Sequence, residues 1–236
     1  MIWDVAVRKR LDDGAGHAFQ LDVAFRSDAA RLVLFGPSGA GKSLTLKAVA
    51  GLLRPDAGHV RVGGRTLFDA AGGIDVAPQR RELAYLFQDY ALFPHLTVRQ
   101  NVAFGTRRGW RNPGRGHAPD AVRHWLRTFE LEALAERYPD QLSGGQRQRT
   151  ALARALVAAP RALQLDEPFA ALAGALKGRR RAELAELQAR VGTPMILITH
   201  DPADVEAFGD HVVGIEHGRV TDARLLAEVA EATAPP

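Results

Sequence analysis

Residues 36–43 read Gly-Pro-Ser-Gly-Ala-Gly-Lys-Ser, a complete G-x-x-x-x-G-K-[ST] pattern, and few local sequences constrain a fold more. A nucleoside triphosphate is an extended anion that must be wrapped by donors at close range. Glycines at Gly36, Gly39 and Gly41 let the backbone bend and approach without a Cβ in the way. Successive N–H groups can then point at the β-phosphate. Lys42 adds a positive charge at the β/γ oxygens, and the Ser43 hydroxyl suits Mg²⁺. The flanks fit. Arg31-Leu-Val-Leu-Phe35 reads as a buried strand, and Ser43-Leu-Thr-Leu-Lys-Ala-Val-Ala50 has helical composition. The phosphates are therefore expected at a helix N-terminus, with Gly36, Pro37, Ser38, Gly39, Ala40, Gly41, Lys42, Ser43 and Leu44 as the nucleotide-binding set.

Period-2 alternation of Phe19, Leu21, Val23 and Phe25 predicts a half-buried strand, and residues 1–25 and 57–68 are expected to be strands. Pro55 is expected to stop the helix after the loop. Residues 83–87 form an apolar run ending at Gln88, and from about 90 to 160 the composition turns helical around a loop at 105–118. Ala162-Leu-Gln-Leu165 predicts a short strand ending in Asp166-Glu167-Pro168, and a helix follows over about 175–190. Pro194–Ile198 reads as a buried strand ending at Thr199-His200, with Asp201 as N-cap and Pro202 in the first turn of the next helix. Strands and helices alternating around phosphate-binding turns predict an α/β fold with a parallel-sheet core, interrupted by an inserted helical segment.

A chain of 236 residues is one large domain, or a core with subdomains. It has no cysteine, which excludes disulfides and thiolate metal sites and fits a reducing compartment. The first ten residues lack a signal peptide's apolar stretch, and no apolar run approaches the roughly 20 residues that span a bilayer. A cytosolic protein, or one held at a membrane by a partner, is expected. Net charge is +4, from 31 Lys+Arg against 27 Asp+Glu. The surplus clusters at Arg107, Arg108, Arg111 and Arg115, and at Lys177, Arg179, Arg180 and Arg181. Both clusters read as solvated surface rather than a nucleic-acid patch, the second on a helix with Leu184, Leu187 and Val191 as its apolar stripe.

Four further motifs supply parts the loop lacks. Asp166, at a strand end, can hold Mg²⁺ through its water shell beside the Ser43 ligand, and Glu167 can polarise a water for in-line attack. Alone, Asp-Glu-Pro also fits an ordinary strand-to-helix turn. Gln88 can bind Mg²⁺ through its carbonyl and orient water; alone it also fits a surface glutamine. His200 can hydrogen-bond a γ-phosphate oxygen and the attacking water, although a strand-end histidine is often structural. In Leu142-Ser143-Gly144-Gly145-Gln146, Ser143 can cap a helix whose first N–H groups make a second anion site. One γ-phosphate does not need two sites in one chain, so a head-to-tail dimer is the simple solution.

Taken together, these residues resemble the ATP-binding cassette ATPases of membrane transporters. Gly36–Ser43 is similar to the family's phosphate loop, Gln88 to its glutamine loop and Leu142–Gln146 to its signature; Leu163–Glu167 is similar to its Mg²⁺ strand with the catalytic base, and His200 to its switch histidine. The resemblance covers nearly the whole chain. It implies a P-loop NTPase core with an N-terminal antiparallel β subdomain (1–89 and 161–236) and an inserted α-helical signature subdomain (90–160). ATP and Mg²⁺ are the implied ligands, with Ser43, Gln88 and Asp166 on the metal and Glu167, His200 and Gln88 in the reaction. The implied partners are a second cassette, with a homodimer expected, a transmembrane permease docked on Tyr90–Val98, and a periplasmic binding protein indirectly. The implied location is peripheral, on the cytoplasmic side of the membrane. The segments 88–98, 67–74 and 78–81 are similar to importer cassettes for molybdate, tungstate and sulfate, the molybdate branch most. Many relatives carry a C-terminal oxyanion-binding domain, and the stop at Pro236 implies its absence. A soluble cassette acting on DNA or ribosomes, or a P-loop kinase, is the competing reading; the latter would lack Leu142–Gln146.

Two positions depart from the family. Ala173 stands where relatives have an aspartate that couples the two sites, and Gln164 stands in a strand buried on both faces, where an aliphatic side chain is expected. A buried amide there must find partners. No adenine-stacking aromatic is evident: Phe19 is a candidate, but its alternation favours the core.

Overall fold

The computed structural model describes residues 1–12, 18–106, 112–114, 118–170 and 174–225. They fall into two compact units, Met1–Leu83 with Arg161–Pro236, and Ala84–Pro160. The chain opens with β1 (Trp3–Asp12), β2 (Ala18–Ser27), β3 (Arg31–Phe35), α1 (Lys42–Ala50), β4 (Ala57–Val62), β5 (Arg65–Asp69) and the short β6 (Ile74–Asp75). Strand β7 (Leu83–Leu86) leads into the second unit, with α2 (Val98–Phe104), α3 (Asp120–Thr128) and α4 (Gly144–Leu156). The first unit resumes with β8 (Ala162–Asp166), α5 (Gly174–Val191), β9 (Met195–Thr199), α6 (Pro202–Phe208), β10 (His211–Glu216) and β11 (Arg219–Leu225). Among the described residues, no helix is long and apolar enough to cross a membrane.

The first unit's strands form one sheet in the order β6-β5-β4-β1-β2-β11-β10-β3-β9-β8. Strand β3 lies between parallel β10 and β9, and β9 is parallel to β8. Leu32–Leu34 and Met195–Ile198 are wholly buried, as their unbroken apolar runs require of a sheet covered on both faces. Strands β2, β1, β4 and β5 pair antiparallel. This antiparallel part is not a separate layer. A hairpin that sequence reading missed, β10–β11, joins it to the parallel strands, because β11 is antiparallel to β10 and parallel to β2.

Two local expectations need correction. Helix α1 ends at Gly51, not at Pro55: Gly51 takes φ 81° and its N–H reaches the Ala48 and Lys47 carbonyls. The last carbonyls of α1 are also met by Arg81, whose Nη1 donates to Ala48 and Val49 at 2.9 Å each from a fully buried position. The basic cluster opening α5 is not all solvated surface. Arg179 is exposed and pairs with Glu183, but Arg181 is largely buried between Asp201 (2.5 Å) and Asp204. Asp204 is itself buried on α6 and needs a countercharge. Along α5, Leu184 is buried, Leu187 and Val191 are half-buried, and Gln188 is buried with them.

In the second unit α2 starts at a capping box, Thr97 accepting from Gln100 N and Gln100 returning to Thr97 N. Buried Asn101 ties down the preceding loop: its Oδ1 accepts from Phe93 N, and its Nδ2 donates to the Phe93, Leu96 and Thr97 carbonyls. Tyr90, Leu96 and Val98 are buried. Within the Tyr90–Val98 segment expected to dock a permease, Leu96 is therefore a packing residue; Ala91, Pro94 and His95 are the exposed members of the segment.

Candidate functional site

The loop between β3 and α1 is shaped by its glycines. A Cβ on Gly36 would stand 2.1 Å from the Ile215 carbonyl oxygen, so only glycine permits that approach of β10. Gly39 and Gly41 take φ of 80° and 103°, open to glycine without strain. Pro37, Ser38 and Gly39 are exposed at the mouth, while Ala40, Gly41 and Lys42 are buried; Leu44 is half-buried. The missed hairpin braces this loop. Gly218, in the β10–β11 turn, donates its N–H to the Ala40 carbonyl at 2.9 Å and accepts from Asp22 N at 2.7 Å. The sequence signal for that turn is Glu216-His-Gly-Arg219: His217 and Gly218 both have positive φ, the backbone of a tight hairpin.

Lys42 is pre-aimed. Its Nζ donates to the carbonyls of Gly36 (2.7 Å) and Pro37 (2.8 Å) and stands 4.0 Å from Glu167 Oε1. Burial pushes its pKa below that of a free lysine, and the charges of Glu167 and Asp166 pull it back up. Ser43 Oγ donates to Asp166 Oδ1 at 3.2 Å. Adjacent oxygens on an octahedral Mg²⁺, with bonds of ~2.1 Å, stand about 3 Å apart, so this pair fits that ion.

Glu167 follows β8 with φ 43°, a left-handed conformation rare for a non-glycine residue. The bend is fixed by its N–H on the Ile198 carbonyl at 3.1 Å. Its Oε2 lies 3.3 Å from His200 Nδ1. His200 is exposed at the end of β9, and the turn beneath it is tightly held: Thr199 Oγ1 donates to Asp204 Oδ2 at 2.5 Å and accepts from Asp201 N at 3.0 Å. The first unit thus brings Lys42, Ser43, Asp166, Glu167 and His200 to one end of its parallel strands. A cavity of about 410 Å³ beside them is lined by Gly36, Pro37, His200, Ile215 and Asp222, among others. Phe19 is half-buried rather than core; its ring tip approaches Gly41 and Gly218, under the loop. Gln164 is fully buried, and neither of its amide atoms has a hydrogen-bond partner.

Gln88 and Leu142–Gln146 lie in the second unit. Gln88 is exposed and opens a turn after β7. Ser143 caps α4 in a capping box, accepting from Gln146 N at 3.3 Å while Gln146 Oε1 accepts from Ser143 N at 2.8 Å. Leu142 and Gly145 are buried, Ser143 is exposed, and a Cβ on Gly144 would meet nothing within 4 Å. Ala173 and the cluster Arg107, Arg108, Arg111 and Arg115 lie outside the described residues.

Residues 22–170 match the family model for ABC transporters. The chain belongs to the ABC transporter family. Over 216 residues, 90% of this chain, it is 46% identical to the molybdenum import ATP-binding protein ModC of Mycobacterium tuberculosis. It is 40% identical over 209 residues, 89% of the chain, to the sulfate/thiosulfate import ATP-binding protein CysA of Synechocystis. The chain spans 58% of the length of that ModC and 57% of that CysA. Among solved structures it is similar to the dimeric ATP-binding cassette MJ0796 in a post-hydrolysis state bound to ADP and Pi. That match has a TM-score of 0.75 and 26% identity, and covers 96% of this chain and 99% of the other. This ABC family chain is thus a cassette in its α/β fold.

Proposed function

We propose that the chain is the ATP-hydrolysing subunit of a membrane importer for molybdate or a related oxyanion, at the cytoplasmic face of a membrane, and that two cassettes close head-to-tail around ATP. The observation that carries this reading is the convergence of Lys42, Ser43, Asp166, Glu167 and His200 at one sheet end. The likeness to molybdenum and sulfate import proteins supports the cargo class, and the dimeric MJ0796 structures support the pairing.

In this reading Lys42 and the loop N–H groups of Gly36–Ser43 bind the β- and γ-phosphates. Its two carbonyl contacts fix the ammonium's direction, so little reorganisation accompanies binding. Ser43 and Asp166 hold Mg²⁺, with Gln88 joining them. When bound, that ion neutralises charge developing between the β and γ oxygens. Glu167 takes a proton from the attacking water, and its fixed bend aims the carboxylate. His200, within reach of Glu167, donates to a γ-phosphate oxygen. Ser143 and the first amides of α4 serve the partner's nucleotide. The exposed part of Tyr90–Val98, around Ala91, Pro94 and His95, faces the permease.

The test is reconstitution in vesicles with the cognate permease and binding protein. The reading expects molybdate uptake that requires ATP on the cassette side and stops with Lys42→Ala. A cassette that copurifies with no membrane protein, or that associates with ribosomes or DNA instead, contradicts it.

A further inference from the structure

The turn after Gln88 is strained, and the Arg154 side chain grips two of its carbonyls. Tyr90 and Ala91 are consecutive non-glycine residues with φ of 65° and 42°, a region where a Cβ is crowded and which persists only when the surroundings over-determine it. The turn's own bonds are few: Tyr90 N donates to the Phe87 carbonyl at 2.9 Å, and Ala91 N to Asp89 Oδ1 at 3.2 Å. The two outward carbonyls of the strained pair both accept from Arg154. Nη2 reaches Tyr90 O at 2.8 Å and Nη1 reaches Ala91 O at 2.7 Å. The guanidinium also lies over the Phe93 ring, 5.4 Å from its centroid. Arg154 stands in the last turn of α4, the helix whose first turn is capped by Ser143. One thirteen-residue rod therefore carries the Ser143–Gln146 segment at one end and the grip on the Gln88 turn at the other.

We propose that Arg154 is a positioning residue that locks the Gln88 turn to α4, so that the glutamine and the Ser143–Gln146 end move as one body during the ATP cycle. The inference rests on the functional reading above. Its logic is geometric. A guanidinium spans two neighbouring carbonyls with a rigid planar fork, whereas the three donors of an ammonium are free to rotate and hold no fixed plane. Because the acceptors are backbone atoms, the grip fixes the path of the chain that places Gln88 rather than any side chain of the turn.

Amide hydrogen exchange of the nucleotide-free chain reads the grip directly. Arg154→Met should raise exchange across residues 87–93 by about tenfold or more, with the remainder of the second unit unchanged. Mg-ATP turnover then reads its purpose. Arg154→Met should lower turnover by roughly ten- to hundredfold, the scale of a small misplacement, while nucleotide affinity stays within about twofold. In a cycle with Gln88→Ala, the double variant should lose less than about twofold beyond the worse single variant, because both act through one group. Adding Ala91→Gly to Arg154→Met should restore part of the loss, since glycine takes that φ without strain. Arg154→Lys should fall between wild type and Met, and it carries the same comparison if the Met variant melts globally. Unchanged exchange at 87–93, additive losses in the cycle, or no recovery with Ala91→Gly overturns the inference. A wild-type chain with no ATP turnover overturns the proposed function instead; the exchange experiment needs no nucleotide.

Discussion

The phosphate-loop region and the Gln88–signature region solve placement in different ways. In the first, groups of opposite charge crowd the ends of buried parallel strands, and the Lys42 ammonium is held by two carbonyls. In the second, short helices and turns are held by capping boxes at Thr97 and Ser143, by Asn101 and by Arg154, each through a few hydrogen bonds. A strand end inside a sheet cannot shift without moving its neighbours; a turn held by a few side-chain hydrogen bonds can. In the function proposed above, that contrast gives gripping to the first region and sensing to the second.

The largest effect that would break this division is loss of the fixed cation. Lys42→Ala should weaken Mg-ATP binding by ~10²-fold or more in a calorimetric titration, the scale of a lost charge-assisted contact to a buried phosphate. Wild-type affinity would remove the gripping role from this region. Next comes the missed hairpin. Gly218→Val puts a Cβ only 2.1 Å from the Gln20 carbonyl oxygen, at φ 76°. It should push the turn off Ala40 and lower ATP affinity roughly tenfold, because a displaced brace misplaces the loop. An unchanged titration would show that the loop holds its shape without β10–β11. In the second region, Leu96→Asp buries a charge and should destabilise that unit by several kcal/mol in urea unfolding without changing intrinsic ATP affinity of the folded fraction. Ser143→Ala should cost about 1 kcal/mol through the lost cap, a smaller change in the same measurement.

The smallest effect is electrostatic and sits on β1 of the first unit. His59 chiefly, with Arg26 and Arg61 adding and burial opposing, holds the Asp4 carboxyl at about 2. Its folded pKa is depressed, so the stability it contributes is present above pH ~4 and is lost as pH falls towards 2. Asp4→Asn should flatten the acid limb of the stability curve by roughly 1 kcal/mol or less, read by unfolding at pH 2–5.

The placement of Gly36–Ser43, Asp166 and Glu167 was legible in the sequence because the apolar runs before them fix the ends of β3 and β8. The brace was not, because Gly218 supports the loop through its backbone N–H, which any residue but proline carries. Arg181 read as surface because helix position alone does not reveal that buried Asp204 pairs with it. Arg154 looked like one more helix arginine; its meaning lies in carbonyls sixty-odd residues earlier, and only the positive φ of Tyr90 and Ala91 marks them. Gln164 was expected to be buried and is, yet its amide has no partner, and nothing in the structure explains why an amide stands there.

The assignment of grip to the strand-end cluster is tested most directly at Glu167, the member expected to take a proton from water rather than hold phosphate. Phosphate release from Mg-ATP by Glu167→Gln, beside nucleotide titration of the same protein, separates the two. The account predicts wild-type ATP affinity with release slowed by ~10²–10⁴-fold, the usual loss on removing a general base. Release at the wild-type rate would contradict it.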